Sequence, residues 1–324
     1  MDRRSFLQST GLLAAGALAG FVPAHAASLR SAPEFTGLDG WVNSTTPLTM
    51  AGLRGKVVLV DFWTYSCINC IRTVPYLNRW QEEYGPQGLQ VVGIHTPEFG
   101  FEKMRPNVEL AVEKRGIRYP VGQDNDFKTW RAWSNRAWPA FYLVDREGRI
   151  VLLREGEGFA HEMESAIRAL LNIAGPATKH PGDDPDLSKI RTPEFYFGSQ
   201  HDIAQDGTQR PRLGEASYSF DASQRPLNGK YLLDGSWNRE SEPLILRSPT
   251  GRVRVRFTAA KMHLVAASAQ PARLKITVDG RAQDPVDVDF ASLYTLLDGK
   301  DYSEHVLDIE TDTPGLTLYS ATFG

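Results

Sequence analysis

Two cysteines, Cys67 and Cys70, are the only thiols among the 324 residues. They come directly after the apolar run of residues 57–63 and before a stretch with helical spacing. Cys-x-x-Cys at the end of a strand is typical of thiol–disulfide exchange. A purely structural disulfide there would close too short a loop to add much stability, and a zinc site would need a second pair of ligands. The spacing therefore predicts a redox-active disulfide, Cys67–Cys70, with no metal and no cofactor.

The two sulfurs are expected to have different roles. Just before a helix, Cys67 would face backbone N–H groups and the positive end of the helix dipole, which stabilise a thiolate, so it is the predicted attacking sulfur. Cys70 would lie one turn into the helix, more buried, and would resolve the mixed disulfide. Asp61 stands in an otherwise apolar strand, where burial is costly and raises the pKa of a carboxyl. We interpret Asp61 as the proton acceptor for Cys70; a carboxylate bonded to a neighbouring side chain is the alternative.

Pro139 follows Trp138 just before a predicted strand. A proline in this place would leave a short backbone edge on which an extended substrate can pair beside the thiols. A cis peptide bond is one alternative, and an ordinary trans proline at a strand edge is the other. Trp138 is a candidate for framing an apolar groove together with Trp130 and Trp133, although packing is the expected role of at least two of the three.

Three further residues are secondary candidates. His95 and Glu98 follow the second buried strand, at the end of the sheet where the sites of α/β proteins collect. Glu98 is a candidate for proton transfer or substrate selection, but an ordinary loop role is open for both residues. Trp63 ends the strand that leads into the cysteines.

The first 26 residues are interpreted as an export signal. Arg3 and Arg4 are followed by an apolar run over residues 11–22 and by the tripeptide Ala24-His25-Ala26. Adjacent arginines, a short apolar run and an Ala-x-Ala site predict a twin-arginine signal cleaved near Ala26, and hence a location in the periplasm or cell envelope. A short membrane anchor is the alternative, but the run is too short to span a bilayer of about 30 Å.

The composition is that of a globular chain, with 41% hydrophobic and 23% charged residues. The net charge of −3 argues against a nucleic-acid partner, which requires a basic face. Residues 27–175 alternate in the order β-α-β-α-β-β-α, including a helix over residues 101–115 that Pro106 is expected to interrupt. Residues 176–192, rich in Pro, Gly and Asp, are predicted to be a linker.

Residues 193–324 show the alternation of short strands. Val253, Val255 and Phe257 alternate with arginines, and similar segments recur between turns that contain Gly, Pro and Asp. The pattern predicts an all-β antiparallel domain of the jelly-roll or β-sandwich type.

Taken together, the motifs of residues 53–173 resemble the thioredoxin superfamily, particularly the exported TlpA/ResA-like thiol–disulfide oxidoreductases. The matching features are Asp61 six residues before the first cysteine, Cys67-x-x-Cys70, Pro75 five residues after the second cysteine, and Pro139 before a strand. The resemblance implies an α/β thioredoxin-like domain, a central mixed β-sheet flanked by helices, with a cis Pro139 and a buried carboxylate at Asp61. Ile68 and Asn69 replace the Gly-Pro pair of thioredoxins, which leaves the reduction potential open.

The string from Asp61 to Cys70, with residues 95–99, is most similar to the periplasmic part of DipZ-type proteins. Those proteins follow the thioredoxin-like domain with a carbohydrate-binding-module-like β-sandwich, so the resemblance implies a glycan ligand for residues 193–324. Tyr231, Trp237 and Tyr294 are candidates for stacking on a sugar or for filling the core. Because the electron-passing membrane domain of DipZ-type proteins is absent here, the resemblance also implies a separate membrane electron donor of the CcdA/DsbD kind.

The predicted function is dithiol–disulfide exchange with oxidised or reduced protein thiols as substrates, with reduction of protein disulfides favoured. A peroxiredoxin-like thiol peroxidase is one alternative, because Thr64-x-x-Cys67 has the peroxidase spacing, although Val60 stands where its proline is expected. A glycan-associated binding protein with an accessory thiol pair is the other.

Overall fold

The structure, a computed structural model, describes residues 30–185 and 187–324. The predicted export signal, residues 1–26, lies outside the described residues. In the part of the chain that is described, every helix is too short or too polar to cross a membrane.

The first domain is built on a six-stranded mixed sheet in the order β1-β4-β3-β2-β5-β6. Its strands are β1 Trp41–Val42, β2 Val57–Trp63, β3 Leu89–His95, β4 Val121–Gln123, β5 Ala140–Val144 and β6 Ile150–Glu155. β2 lies parallel to β3, and β3 is parallel to β4, whereas β5 runs antiparallel to both β2 and β6. β2 is therefore a central strand.

Apolar layers cover both faces of this sheet, which explains why β2 is buried along its whole length. Val57, Leu59 and Trp63 face one layer, whereas Val58, Val60 and Phe62 face the other. Asp61 has the same parity as Leu59 and so points toward the layer that contains Cys70 and the first helix. The helices are α1 Ile68–Tyr84, α2 Arg105–Lys114, α3 Lys128–Trp133 and α4 Ala160–Leu170.

The predicted fold class and element order are confirmed, with additions and one correction. The short elements β1, β4 and α3 were not predicted. The helix expected over residues 101–115 begins only at Arg105, after a 3-10 turn at Gly100–Lys103. Pro106 lies in the first turn of α2 instead of interrupting it, because the N–H that proline lacks has no helical partner there.

Part of the predicted linker, residues 176–192, packs against the first domain. The carboxylate of Asp184 accepts hydrogen bonds from the backbone nitrogens of Ala160 at 2.6 Å and His161 at 3.2 Å. Asp183 pairs with Arg79 of α1. A carboxylate at the amino end of α4 is favourable because the first N–H groups of a helix lack partners, so this end of the linker is fixed to the domain.

The second domain is an all-antiparallel sheet of twelve strands that curls around one core, confirming the all-β prediction. Its strands are β7 Phe195–Tyr196, β8 Gly214–Tyr218, β9 Lys230–Arg239, β10 Leu244–Leu246, β11 Gly251–Thr258, β12 Lys261–Ala267, β13 Ala272–Val278, β14 Arg281–Ala282, β15 Val286–Val288, β16 Ser292–Asp298, β17 Glu304–Thr311 and β18 Thr317–Phe323. β9 takes part in two sections of this sheet. Its residues 230–234 pair with β11, its residues 235–239 pair with β8, and its residues 237–239 also pair with β10.

The candidate sugar-stacking residues mainly fill this core. Tyr231 and Trp237 are fully buried among apolar side chains. Tyr294 is half-buried at the edge of the core, and its hydroxyl donates to the carbonyl of Phe290 at 2.6 Å. In the structure these three aromatic side chains pack in or against the apolar core, which was the alternative to sugar stacking.

Candidate active site

Cys67 is the N-cap residue of α1, at the carboxyl end of β2. Its backbone is extended, with φ −79° and ψ 115°, and its Sγ accepts a hydrogen bond from the backbone nitrogen of Cys70 at 3.3 Å. The side chain is half-buried, so one side of the sulfur stays accessible. Both cysteines are free thiols here. The sulfur of Cys67 thus caps the first turn of α1.

Cys70 lies inside the domain, only 1% exposed. Burial raises the pKa of its thiol well above the ordinary value, and the nearby Cys67 and the charge of Asp61 raise it further. Burial likewise raises the pKa of Asp61, whose Oδ1 has no hydrogen-bond partner in the described chain. A buried carboxyl with an elevated pKa beside a buried thiol can take up the thiol proton when the thiol must react.

Trp138 and Pro139 come directly before β5. The peptide bond between them is cis, as the family resemblance implied. Trp138 is half-buried and, with Ala137, lines a cavity of about 250 Å³ that opens onto Cys67. The carbonyl of Pro139 accepts a hydrogen bond from the backbone of Gly156 at 2.8 Å.

The second domain forms the remaining wall of this cavity. Besides Cys67 and its neighbours in α1, the lining includes Glu98 and three residues from the second domain, Glu194, Tyr196 and Thr322. The hydroxyl of Tyr196 donates to Oε1 of Glu98 at 2.7 Å across the domain boundary. Burial first, and then the neighbouring Glu194 and Glu102, raise the pKa of Glu98 to about 8.

A buried carboxylate, Glu102, fixes the segment that precedes Cys67. One oxygen accepts hydrogen bonds from the backbone nitrogen and the hydroxyl of Ser66 at 3.2 and 2.7 Å. The other accepts from the backbone nitrogens of Glu98 and Phe99 at 2.6 and 3.0 Å. Glu102 therefore ties the turn before Cys67 to the loop after β3. Burial raises its pKa, although these hydrogen bonds act in the opposite direction.

An apolar joint connects the active-site helix to the second domain. Its buried members are Ile68, Phe99, Val265 and Leu293. The ring centroid of Tyr319, from β18, lies 5.1 Å from that of Phe99 and 4.7 Å from that of Phe101. One residue between the two cysteines, Ile68, is thus buried by contacts with the second domain, which makes that domain part of the site.

Comparisons with known proteins agree with this two-domain arrangement. Residues 29–153 match the AhpC/TSA family, and residues 192–324 match a family described as the thioredoxin like C-terminal domain. These matches agree with the predicted resemblance to the thioredoxin superfamily. The first domain of the chain has the mixed sheet, the Cys-x-x-Cys helix and the cis-proline that the resemblance implied.

One relative matches this chain across both of its domains. Protein DipZ of Mycobacterium tuberculosis is 32% identical over 305 residues, which cover 92% of this chain and 43% of DipZ, so the chain spans less than half of that relative. Thiol-disulfide oxidoreductase YkuV of Bacillus subtilis is 28% identical over 140 residues, 43% of this chain and 93% of YkuV. A solved thioredoxin-like protein in its oxidised form is 26% identical, with a TM-score of 0.42 over 45% of this chain and 98% of its own.

Two secondary candidates for the active site, His95 and Trp63, lie away from the cavity at Cys67. His95 is fully buried, stacked on Tyr65 with 5.6 Å between ring centroids, and burial lowers its pKa to about 3. It is therefore neutral and takes no part in the cavity wall. Trp63 packs edge-on against His95 in the core. Trp133 is also buried in the core, and Trp130 packs against Phe62.

Sequence reasoning missed Glu102, Glu194, Tyr196 and Thr322. A glutamate in a predicted amphipathic helix carries no signal of burial, and the other three belong to a distant part of the chain. Within residues 30–185 and 187–324, no three His, Cys, Asp or Glu side chains are grouped so as to hold a metal ion.

Proposed function

We propose that this protein is an exported thiol–disulfide oxidoreductase that reduces disulfide bonds of proteins in the cell envelope. The observation that carries the proposal is the position of Cys67, half-exposed at the amino end of α1 with its sulfur accepting the N–H of Cys70. The similarity to YkuV and DipZ supports the same chemistry.

The reaction is a two-step exchange. The Cys67 thiolate attacks one sulfur of the substrate disulfide, the substrate S–S bond breaks, and the other substrate sulfur leaves as a thiolate that takes up a proton. Cys70 then loses its proton to Asp61 and attacks the Cys67 sulfur of the mixed disulfide. The second substrate thiol is released, and the two electrons that reduce the substrate come from formation of the Cys67–Cys70 disulfide.

Serine variants of the two cysteines test the separate roles proposed for the attacking and the resolving thiol. Reduced protein is mixed with an oxidised protein such as insulin, and products are quenched in acid and resolved by mass. We expect Cys67→Ser to abolish exchange and Cys70→Ser to accumulate a covalent adduct through Cys67. An active Cys67→Ser variant, or a Cys70→Ser variant that turns over without an adduct, would refute the mechanism.

Partners follow from this proposal and from the resemblance. The substrates are proteins with accessible disulfides, or thiols if the exchange runs in reverse. A membrane electron donor of the CcdA/DsbD kind would return the Cys67–Cys70 disulfide to the dithiol. A glycan ligand for residues 193–324 stays a prediction, and retention of the full chain on polysaccharide columns tests it.

A thiol peroxidase is the second candidate, favoured by the match of residues 29–153 to the AhpC/TSA family. Cys67 would attack a peroxide oxygen, the O–O bond would break to give a sulfenic acid and water, and Cys70 would displace a second water to form the disulfide. Thr64, the residue with peroxidase spacing, is buried with its hydroxyl 3.5 Å from Nε2 of His95. Peroxide consumption by reduced protein, measured beside insulin reduction, discriminates between the two functions.

A further inference from the structure

The cavity at Cys67 has a marked charge asymmetry. Besides Cys67 itself and the tyrosine Tyr196, its ionisable lining residues in the described chain are Glu98 and Glu194. Nearby arginines are already paired, since Arg72 binds Glu157 at 2.9 Å and Arg136 lies 3.5 Å from Glu155. The lining therefore contains acidic groups and no lysine or arginine.

Both carboxylates are held in place by side chains of the second domain. The hydroxyl of Thr322 donates to Oε1 of Glu194 at 2.8 Å, and the hydroxyl of Tyr196 donates to Glu98. Each carboxylate thus has a fixed position on the wall that faces the reactive sulfur. Charges close to the reacting sulfur act on a bound charge over a short distance, and salt screens such an interaction where the carboxylate is exposed, as Glu194 is.

The pKa of Glu98 determines the pH at which this carboxyl carries its negative charge. Burial and the charge of Glu194 raise that pKa to about 8. A positive group on a substrate would offset both effects, whereas a negative group would add to the repulsion.

We propose that Glu98 and Glu194 make the cavity selective for disulfides that carry positive charge next to the reacting sulfur, such as a cystine flanked by lysine or arginine. The inference rests on the proposed thiol–disulfide exchange and specifies its substrate class. Cys67 supplies the nucleophile, and the two glutamates decide which disulfides approach it most readily.

Three small disulfides of different charge test the selectivity. Reduced full-length protein is mixed with cystamine, which is dicationic, with neutral 2-hydroxyethyl disulfide, or with dianionic 3,3′-dithiodipropionate. Formation of the Cys67–Cys70 disulfide is followed by acid quench, alkylation and mass spectrometry at one pH above 8, where the Glu98 carboxyl is ionised. Dividing each rate constant by that of a simple monothiol with the same disulfide removes the difference in leaving groups.

We expect the normalised cation-to-anion ratio to be roughly tenfold or more at low salt and to fall as salt screens the carboxylates. Glu194→Gln and, independently, Glu98→Gln should each lower the ratio roughly threefold or more. Glu310→Gln, an exposed glutamate of β17 that does not line the cavity, is the matched control and should leave the ratio unchanged.

The neutral disulfide separates two kinds of failure. If it oxidises the protein but the cationic and anionic rates are equal, or if neither cavity glutamate variant changes the ratio, the selectivity proposal is wrong and the exchange function stands. If none of the three disulfides oxidises the cysteines, the proposed function itself fails, and the selectivity falls with it.

Discussion

One oxygen of the Glu102 carboxylate accepts hydrogen bonds from both the backbone nitrogen and the hydroxyl of Ser66, the residue immediately before Cys67. Because Glu102 is fully buried and its other oxygen binds the loop after β3, this single side chain sets the position of the turn that presents the reactive sulfur.

Glu102→Gln should weaken this turn. The amide replaces an acceptor oxygen with an NH2 group, so two N–H donors would face each other in a buried site. We expect a loss of about 2 kcal/mol in the free energy of unfolding and a slower alkylation of Cys67. Urea unfolding measures the free energy of unfolding, and the rate of iodoacetamide labelling measures the alkylation of Cys67. Ser66→Ala, which removes only one of the hydrogen bonds, should have the smaller effect; equal stability of Glu102→Gln and wild type would contradict the assigned role.

Asp61 should make the reduced protein less stable as the pH rises. Folding raises the pKa of this carboxyl, so its contribution to stability is fully present below the unfolded pKa of about 3.9 and is lost as the pH rises through the native pKa. The slope can reach about 1.4 kcal/mol per pH unit for one proton.

Asp61→Asn should flatten that slope, because the amide does not ionise. Glu98, with its pKa of about 8, contributes in the same direction, so some slope remains. Urea unfolding between pH 5 and 9 measures the effect. Asp298→Asn is the control, since the pKa of that exposed carboxyl is lowered by Lys261 and its titration lies below this range. Parallel pH profiles for Asp61→Asn and wild type would be inconsistent with the burial of a protonated Asp61.

Tyr319→Ala should uncouple the domains. The ring packs against Phe99 and Phe101 at the apolar joint, and its removal should cost roughly 2 kcal/mol and replace a single calorimetric unfolding transition with two. Tyr302→Ala, at a more exposed tyrosine of the second domain, is the control and should keep one transition. A single transition in Tyr319→Ala at the wild-type temperature would show that this contact does not hold the domains together.

Replacing Arg3 and Arg4 with lysine should retain the protein in the cytoplasm, because the twin-arginine route requires the arginine pair. Cell fractionation followed by immunoblotting measures the distribution, with the wild-type chain as the reference. Normal export of the double variant would exclude a twin-arginine signal.

Local sequence pattern sufficed to predict the part of the site that lies on consecutive elements. β2, Cys67, Cys70 and α1 follow one another, and strand parity alone places Asp61 on the face of the sheet that α1 covers. The presence of an α/β part followed by an all-β part could likewise be predicted, because the hydrophobic period changes from helical spacing to strand alternation after the predicted linker.

Contacts between segments that are distant in the sequence could not be predicted from local sequence pattern. Glu102 looked like one polar position of a helix, and only the 3-10 turn that replaces the start of that helix turns it inward. Tyr196 and Thr322 reach Cys67 through the packing of whole domains, which no periodicity encodes. β4 and α3 were missed because three and six residues are too few to establish a period.

Ile68 belongs both to the pair of residues between the cysteines and to the apolar joint with the second domain. The residues between two redox cysteines influence their reduction potential. Here one of these residues, Ile68, also packs in the contact between the two domains. A substitution of Ile68 is therefore expected to alter the surroundings of the thiols and the packing between the domains together.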